Sequence, residues 1–416
     1  MTPDRIERVA LVACALVLAL LLAIRMDAPW TYIHDDNGAW TQAVAGAHLD
    51  AGLARTRGQD FYLRRADGGL TPYLHHPPLY PLVMAAAYSI TGERGPLATR
   101  AIPAAFHLIG FLGFVLLARA LFPESHGRRV IGAALYAVVP MSAFFGKLAF
   151  NEPLGLALCV WALLFTVRDR ARPSAASRIV ACSLWASAIA TSWTSTCLLA
   201  AFAGLAVFEG RGPARARAHS RAQALALSGT ALLAPALVVL HLLWAGHWQR
   251  PPIMDAGAHW GGAAVQTGEF LRGLGVAFDF HRIYFANVPF AFYLGWLGLR
   301  ISRIVRGQAL SESDRVLLAG SIGAGVWALV FLRQVAIHAY GQFWFLPFEA
   351  LAAADAAVSA WHSLAARPRL RQVAAVLLVA GTLASAAYTL HYRYSRPHGF
   401  AIRNAQRMAE EYVTGR

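Results

Sequence analysis

Long apolar runs separated by short polar segments pattern almost the whole chain. They cover approximately residues 6–24, 97–121, 130–145, 153–167, 179–190, 194–208, 222–245, 288–304, 316–332, 343–360 and 373–390. Most approach the roughly 17–25 apolar residues that a helix needs to cross a hydrocarbon core. Backbone N–H and C=O groups find no water inside a bilayer, so such runs fold as helices and not as open sheets. The pattern predicts an all-α polytopic membrane protein with about eleven transmembrane helices. On either side of Thr191-Ser192-Trp193 the two runs are short for a pair of crossings and too long for one. A kinked hairpin of short helices is expected there.

The polar segment at 26–76, outer loop 1, interrupts this rhythm. Within it Trp40, Val44, Ala47 and Ala51 recur at helical spacing, while Gln42, His48 and Asp50 occupy other faces. That spacing predicts an amphipathic juxtamembrane helix. His75-His76-Pro77-Pro78-Leu79-Tyr80-Pro81 then opens an apolar run that ends near Ile90. The run is too short for a comfortable crossing, and prolines suit a helix start, where a missing N–H costs little. A re-entrant or short helix with both ends on the outer side is expected. One transmembrane domain at 1–390 thus carries outer loops at 26–76 and 246–285, with a short external tail at 391–416.

Composition and charge settle the class and the orientation. The chain is 57% hydrophobic and 14% charged, with mean hydropathy +0.46, whereas soluble globules carry about 25% charged residues. A net charge of +15 would suggest nucleic acid in a soluble protein. Here the arginines fall in short loops between apolar runs, so no nucleic-acid partner is expected. Arg119, Arg128 and Arg129, Arg168 to Arg178, Arg211 to Arg221, Arg300 to Arg315, and Arg367 to Arg371 share one side. The short loops of the opposite side hold only Lys147 and Arg333. By the positive-inside rule the arginine-rich side is cytoplasmic. A full crossing by the run at 78–90 would invert every later loop, which supports the re-entrant reading. Cys14, Cys159, Cys182 and Cys197 lie inside apolar runs without metal-type spacing and read as packing residues. Arg5 and Arg8 precede the first run without a small-residue cleavage site, so an uncleaved first span is expected.

This topology collects the candidate chemistry on the outer face. Asp35-Asp36 stands beside a membrane boundary, where ionisable residues are functional candidates by default. Asp36 suits a helix N-cap, leaving Asp35 to face a cavity as a general base. His75 and His76 form either a rigid turn with solvated imidazoles or a platform hydrogen-bonding a sugar or phosphate. With His34 and the Asp pair they allow a divalent metal, although the spacing matches no recognised metal motif. Lys147 and Glu152 pair with each other or contact substrate. Arg333 offers a fork for phosphate or snorkels as a helix anchor, with His338 and Tyr340 close behind it. Loop 246–285 supplies either membrane anchors or a substrate cover. Neither a Walker-type phosphate loop nor a nucleophile elbow is present.

In these residues the chain resembles the polyprenyl-phosphate-dependent glycosyltransferases of the GT-C membrane fold, among them bacterial relatives of protein O-mannosyltransferases and aminoarabinose transferases. The resemblance is carried by Asp35-Asp36, by HHPPLYPL at 75–82, and by Arg100-Ala101-Ile102-Pro103. Lys147 through Asn151-Glu152-Pro153 extends it, as do His338-Ala339-Tyr340 and Phe345-Leu346-Pro347. These short motifs occur in family order over most of residues 30–350. The second acid is Asp36 where many relatives have Glu, and Trp40 stands where an aromatic, often Tyr, is usual. Unlike in some relatives, no sizeable periplasmic domain is expected after the last span.

The resemblance implies an inverting transfer from a polyprenyl-phosphate sugar to a hydroxyl of a glycan, lipid or protein acceptor. Asp35 would be the general base, with the donor phosphate near Arg333 and Lys147 or His338. No nucleotide is needed, and the expected location is the bacterial inner membrane with the site facing the periplasm. A flippase for lipid-linked sugars would require polar groups at mid-membrane. A lipid-diphosphate glycan ligase or polymerase would keep the outer-face chemistry with a different donor.

Overall fold

Helices occupy the apolar runs in a computed structural model that describes residues 2–32, 34–64, 70–73, 75–209, 214–246, 267–395, 398–399 and 402–403. α1 (Pro3–Ala23), α2 (Asp35–Ala51) and a short α3 (Leu53–Thr56) lead into an antiparallel hairpin of β1 (Asp60–Arg64) and β2 (Leu70–Tyr73). Then follow α4 (Leu79–Thr91), α5 (Pro96–Leu121), α6 (His126–Val138), α7 (Pro140–Phe145), α8 (Asn151–Ala171), α9 (Ala175–Thr191), α10 (Thr194–Glu209) and α11 (Ala214–Ala245). The second half holds α12 (Thr267–Tyr284), α13 (Asn287–Val305), α14 (Glu312–Val330), α15 (Leu332–Ile337), a 3₁₀ segment (Ala339–Phe345), α16 (Leu346–Ser363) and α17 (Pro368–Ser395). The small hairpin is the one sheet among the described residues.

Seven described helices are long and apolar enough to cross a membrane: α1, α5, α11, α13, α14, α16 with its 3₁₀ lead-in, and α17. Of the other expected spans, α8 is long enough at 21 residues but carries Glu152, Arg168 and Arg170 in its end turns, and the rest are helical but shorter or interrupted. The run at 130–145 breaks at Val139, which is extended (φ −66°, ψ 142°) ahead of Pro140. Proline disfavours the helical region for the residue before it, so one span becomes α6 and α7. Ser192 is likewise extended (φ −151°, ψ 136°) and separates α9 from α10, at the place where the sequence predicts a kink.

Outer loop 1 is itself packed structure. α4 has 13 residues, roughly 20 Å at 1.5 Å per residue, which is too short for the hydrocarbon core. It buries Tyr80, Met84, Ala85 and Tyr88 against Ala45 of α2 and Leu154 of α8. α2 follows the predicted span, but it is embedded on more than one face. His48, expected on an outer face, is buried, and its Nδ1 bonds Thr56 Oγ1 at 2.9 Å.

At the arginine-rich end, several cations meet buried acids. Arg129 and Arg119 hold Glu7 of α1 at 3.0 and 3.2 Å. Arg300 bridges Asp314 at 2.7 Å and Asp355 at 2.5 Å. These arginines, which the sequence pattern gathers on one side, also tie helix ends together. A roomy apolar groove of about 710 Å³ opens nearby between α6, α13, α16 and α17. It holds none of the candidate residues. Most of outer loop 246–285 before Thr267, and all but four residues of the external tail after Ser395, lie outside the described residues.

Candidate active site

The outer loop is wound around one guanidinium. Arg100 enters from the first turns of α5, where it is 4% exposed. It donates to the carbonyls of Met26 (3.2 Å), Ala28 and Pro29 (3.4 Å). Its Nη2 pairs with Asp35 Oδ2 at 3.2 Å, and the Trp30 ring covers it at 4.2 Å from the centroid. Trp30 in turn donates from Nε1 to Gln42 of α2 at 3.1 Å. An arginine so buried needs acceptors on every side, and the loop provides them from its backbone.

Asp35 opens α2 directly after His34, whose backbone is left-handed (φ 68°). The N-cap is therefore His34, with no side-chain cap bond, and not Asp36 as the sequence suggests. Both acids stand in the first turn, where the helix dipole favours negative charge. Asp35 Oδ2 accepts from the backbone N–H groups of Thr31 (2.9 Å) and Tyr32 (2.8 Å) besides Arg100. One oxygen is thus committed to holding the loop, and Oδ1 stands outside those three bonds. Burial pushes the Asp35 carboxyl above the ordinary carboxylate range, against the opposing pull of Arg100, the Thr31 amide and Lys147. A carboxylate whose pKa is raised holds a proton more strongly than an ordinary one.

Lys147 sits between α7 and α8, 5% exposed, with its ammonium on the Ile24 carbonyl and 4.8 Å from the Tyr394 ring centroid. Burial, with repulsion from Arg100 and Arg25, lowers it to about 7 against the attraction of Asp35. Asp35, Lys147, Arg100, Arg25, Tyr32 and Tyr394 line one small cavity of about 20 Å³, enough for a water.

A continuous row of rings joins this cavity to the remaining candidates. His34 lies 5.0 Å from Tyr340 and 5.9 Å from His338. Tyr340 is 5.6 Å from Phe150, which is 5.1 Å from His76. Tyr73 stacks on His75 at 4.5 Å. The Asn37 side chain hydrogen-bonds Tyr340, and the charges of Asp36 and Glu152 both reach that hydroxyl. The His75 carbonyl accepts from Trp193 Nε1 at 2.8 Å, so the break between α9 and α10 anchors the histidine pair. Burial depresses His76 to about 3 and His338 to about 4. These imidazoles are neutral near pH 7 and offer hydrogen bonds or ring faces, not positive charge.

Eight of the nine candidates, Asp35, Asp36, His75, His76, Lys147, Glu152, His338 and Tyr340, fall along this row and its cavity. Arg333 does not line the cavity. It is half-exposed on α15 and pairs with Glu269 of α12 at 3.0 Å. The metal reading does not fit either. The one described group of His, Cys, Asp or Glu close enough to share an ion is Asp4, Glu7 and His126, at the other end of the bundle. There Glu7 is already held by arginines. Arg100, Arg25, Asn37 and Tyr394 are contributors that candidate selection from sequence passes over. Of these only Arg100 carried a signal, through its place in the Arg-Ala-Ile-Pro motif.

No protein-family model and no curated protein matches the chain. Solved structures do. The Archaeoglobus fulgidus oligosaccharyltransferase in its apo form superposes with a TM-score of 0.60 at 15% identity, covering 92% of this chain and 56% of its own. The same archaeal enzyme in complex with an inhibitory peptide and a dolichol-phosphate gives 0.59 at 14%, covering 92% and 56%. ArnT from Cupriavidus metallidurans, bound to undecaprenyl phosphate, gives 0.58 at 16%, covering 97% and 77%. The chain thus spans little more than half the length of the archaeal enzyme. Across almost all of its own length, it has the polytopic GT-C membrane fold of these glycosyltransferases.

Proposed function

We propose that the protein is a membrane glycosyltransferase that moves a sugar from a polyprenyl-phosphate donor to an acceptor hydroxyl. The observation that carries this reading is the cavity at the mouth of a GT-C fold where a buried carboxylate, Asp35, faces a buried cation, Lys147. The neighbours in complex with dolichol-phosphate and undecaprenyl phosphate support a lipid-phosphate donor. The acceptor is a glycan, lipid or protein hydroxyl.

Asp35, through Oδ1, takes the proton of the acceptor hydroxyl as that oxygen attacks the anomeric carbon. The carbon–oxygen bond to the phosphate breaks on the opposite face, so the configuration inverts. Lys147, with Arg25 beside it, meets the charge that grows on the departing polyprenyl phosphate, and preorganised charge of this kind is commonly the largest catalytic contribution. Arg100 is a positioning residue that fixes Asp35 and the loop. Arg333, held by Glu269, is left as a rim cation. The site lies on the outer face of a bacterial inner membrane, on the side away from the arginine-rich loops.

Purified full-length protein in proteoliposomes, supplied with radiolabelled polyprenyl-phosphate sugars and an envelope extract, tests the reading. Label is expected to move to an acceptor with wild type and to stay on the lipid with Asp35→Asn. A general base contributes roughly 10²–10⁴-fold, so transfer by Asp35→Asn at the wild-type rate removes the base assignment. Movement of intact donor across the bilayer without transfer would make the protein a carrier instead.

A further inference from the structure

A second small cavity lies beside the row of rings, between α2, the β hairpin, α4 and the start of α8. Trp40, Asp60, His76, Tyr80, Phe150 and Asn151 line it. Its volume is about 10 Å³, room for a single oxygen atom. The polar groups around it are more numerous than their partners. Tyr80 is 3% exposed, and its hydroxyl is buried without a hydrogen bond. Asn151 is 6% exposed; its Nδ2 faces the Thr191 carbonyl at 3.3 Å, which fixes the amide and leaves Oδ1 buried and unpartnered. Asp60 is 3% exposed on β1. Burial pushes its carboxyl well up, so it stands ready to donate as well as accept. The Glu152 Oε2, also buried without a partner, lies within electrostatic reach of the Tyr80 hydroxyl.

Buried polar groups in folded proteins are nearly always bonded, so convergent orphans around an oxygen-sized space call for an oxygen. A hydroxyl suits them because it both donates and accepts. The rings of His76, Trp40 and Phe150, packed edge-on or tilted against one another, line the cavity and give it the apolar surface that suits the C–H face of a sugar ring. We propose that this cavity is a hydroxyl subsite, in which Asp60, Tyr80 and Asn151 bind one hydroxyl of the donor sugar. The inference rests on the glycosyltransferase reading and adds a residue set that selects the sugar. A site built to hydrogen-bond a hydroxyl rejects ligands without it strongly, because its own groups are then left unpaired.

The test measures equilibrium binding to full-length protein in nanodiscs, using bare undecaprenyl phosphate and its glucose, mannose and arabinose esters as probes. At least one ester is expected to bind about tenfold or more tightly than the bare lipid. Tyr80→Phe, which removes only an oxygen, and Asp60→Leu, which removes both carboxyl oxygens at similar volume, should each erase most of that advantage and leave bare-lipid binding unchanged. If the advantage persists in both variants, the cavity holds structural water only and the subsite is wrong, while the donor reading stands. If no ester outbinds the bare lipid, the subsite is likewise overturned. The proteoliposome transfer assay run in parallel then shows whether the donor reading falls with it. Thermal midpoints of both variants confirm that the comparison is between folded proteins.

Discussion

Replacing Gly38 with alanine tests the wound loop at its tightest point. A methyl group at Gly38 would lie 2.2, 2.5 and 2.8 Å from three atoms of the Trp30 ring. The ring cannot swing away freely, since Gln42 holds its Nε1 at 3.1 Å and Arg100 lies against its face. Overpacking of this kind costs about 1–3 kcal/mol, and loss of the cation–π contact adds about 0.5–2 kcal/mol. Alanine returns about 1 kcal/mol in helix propensity over glycine. The net expectation is a destabilisation of about 0.5–4 kcal/mol, read as a lower thermal midpoint in detergent. There is also a chemical consequence. Arg100 lowers the Asp35 carboxyl against burial, so displacing it should move the acidic limb of the transfer rate to higher pH. Trp30→Ala in the Gly38→Ala background removes the clash, and the double variant should melt above the sum of the two single effects, by the coupling expected of touching residues. A Gly38→Ala protein that melts at the wild-type temperature, with effects additive to Trp30→Ala, would refute this account of the loop.

Other expectations follow from the same geometry. Lys147 titrates near 7 because it is buried, so its charge is present below that pH and is lost above it. Affinity for undecaprenyl phosphate should therefore weaken as pH rises from 6 to 8, opposing the second ionisation of the phosphate near about 6. Lys147→Arg should abolish that weakening, and titration calorimetry reads both. Arg100→Gln strips the loop of its central cation and should cost about 3–5 kcal/mol, the usual penalty for breaking a buried pair, whereas Arg333→Gln should leave the midpoint within about 0.5 kcal/mol. Glu7→Gln leaves Arg129 buried beside a neutral partner. It should lower the thermal midpoint without altering lipid-phosphate affinity, since Glu7 stands at the opposite end of the bundle.

The fold was legible because a bilayer imposes length and apolarity on each crossing, and the runs at 97–121 and 222–245 declare themselves. Even the break at Val139 had its signal in Pro140. The site was half legible. Adjacent acids at a membrane edge and paired histidines before paired prolines are unusual enough to single out. Arg100 gave little away as a site residue, since an arginine beginning an apolar run reads as an interfacial anchor and its acceptors are backbone carbonyls. Asp60 was harder still, because its surroundings come from α2, α4 and α8 and no local spacing links them. Arg333 shows the converse limit. Its side of the membrane could be inferred from the loops, but its partner Glu269 sits on a helix whose packing no local pattern reveals.

The far end of the chain also takes part in the cavity. Tyr394, at the close of α17, meets Tyr32 edge-on at 5.9 Å and forms one wall beside Asp35 and Lys147, while the His398 amide bonds the Thr31 carbonyl at 2.7 Å. A nascent chain threaded into the membrane one helix at a time has its acid exposed early but gains this wall only when α17 arrives. Ribosome-stalled or prematurely stopped products would then accumulate as inserted yet inert protein, and biosynthesis itself would delay chemistry until assembly is finished.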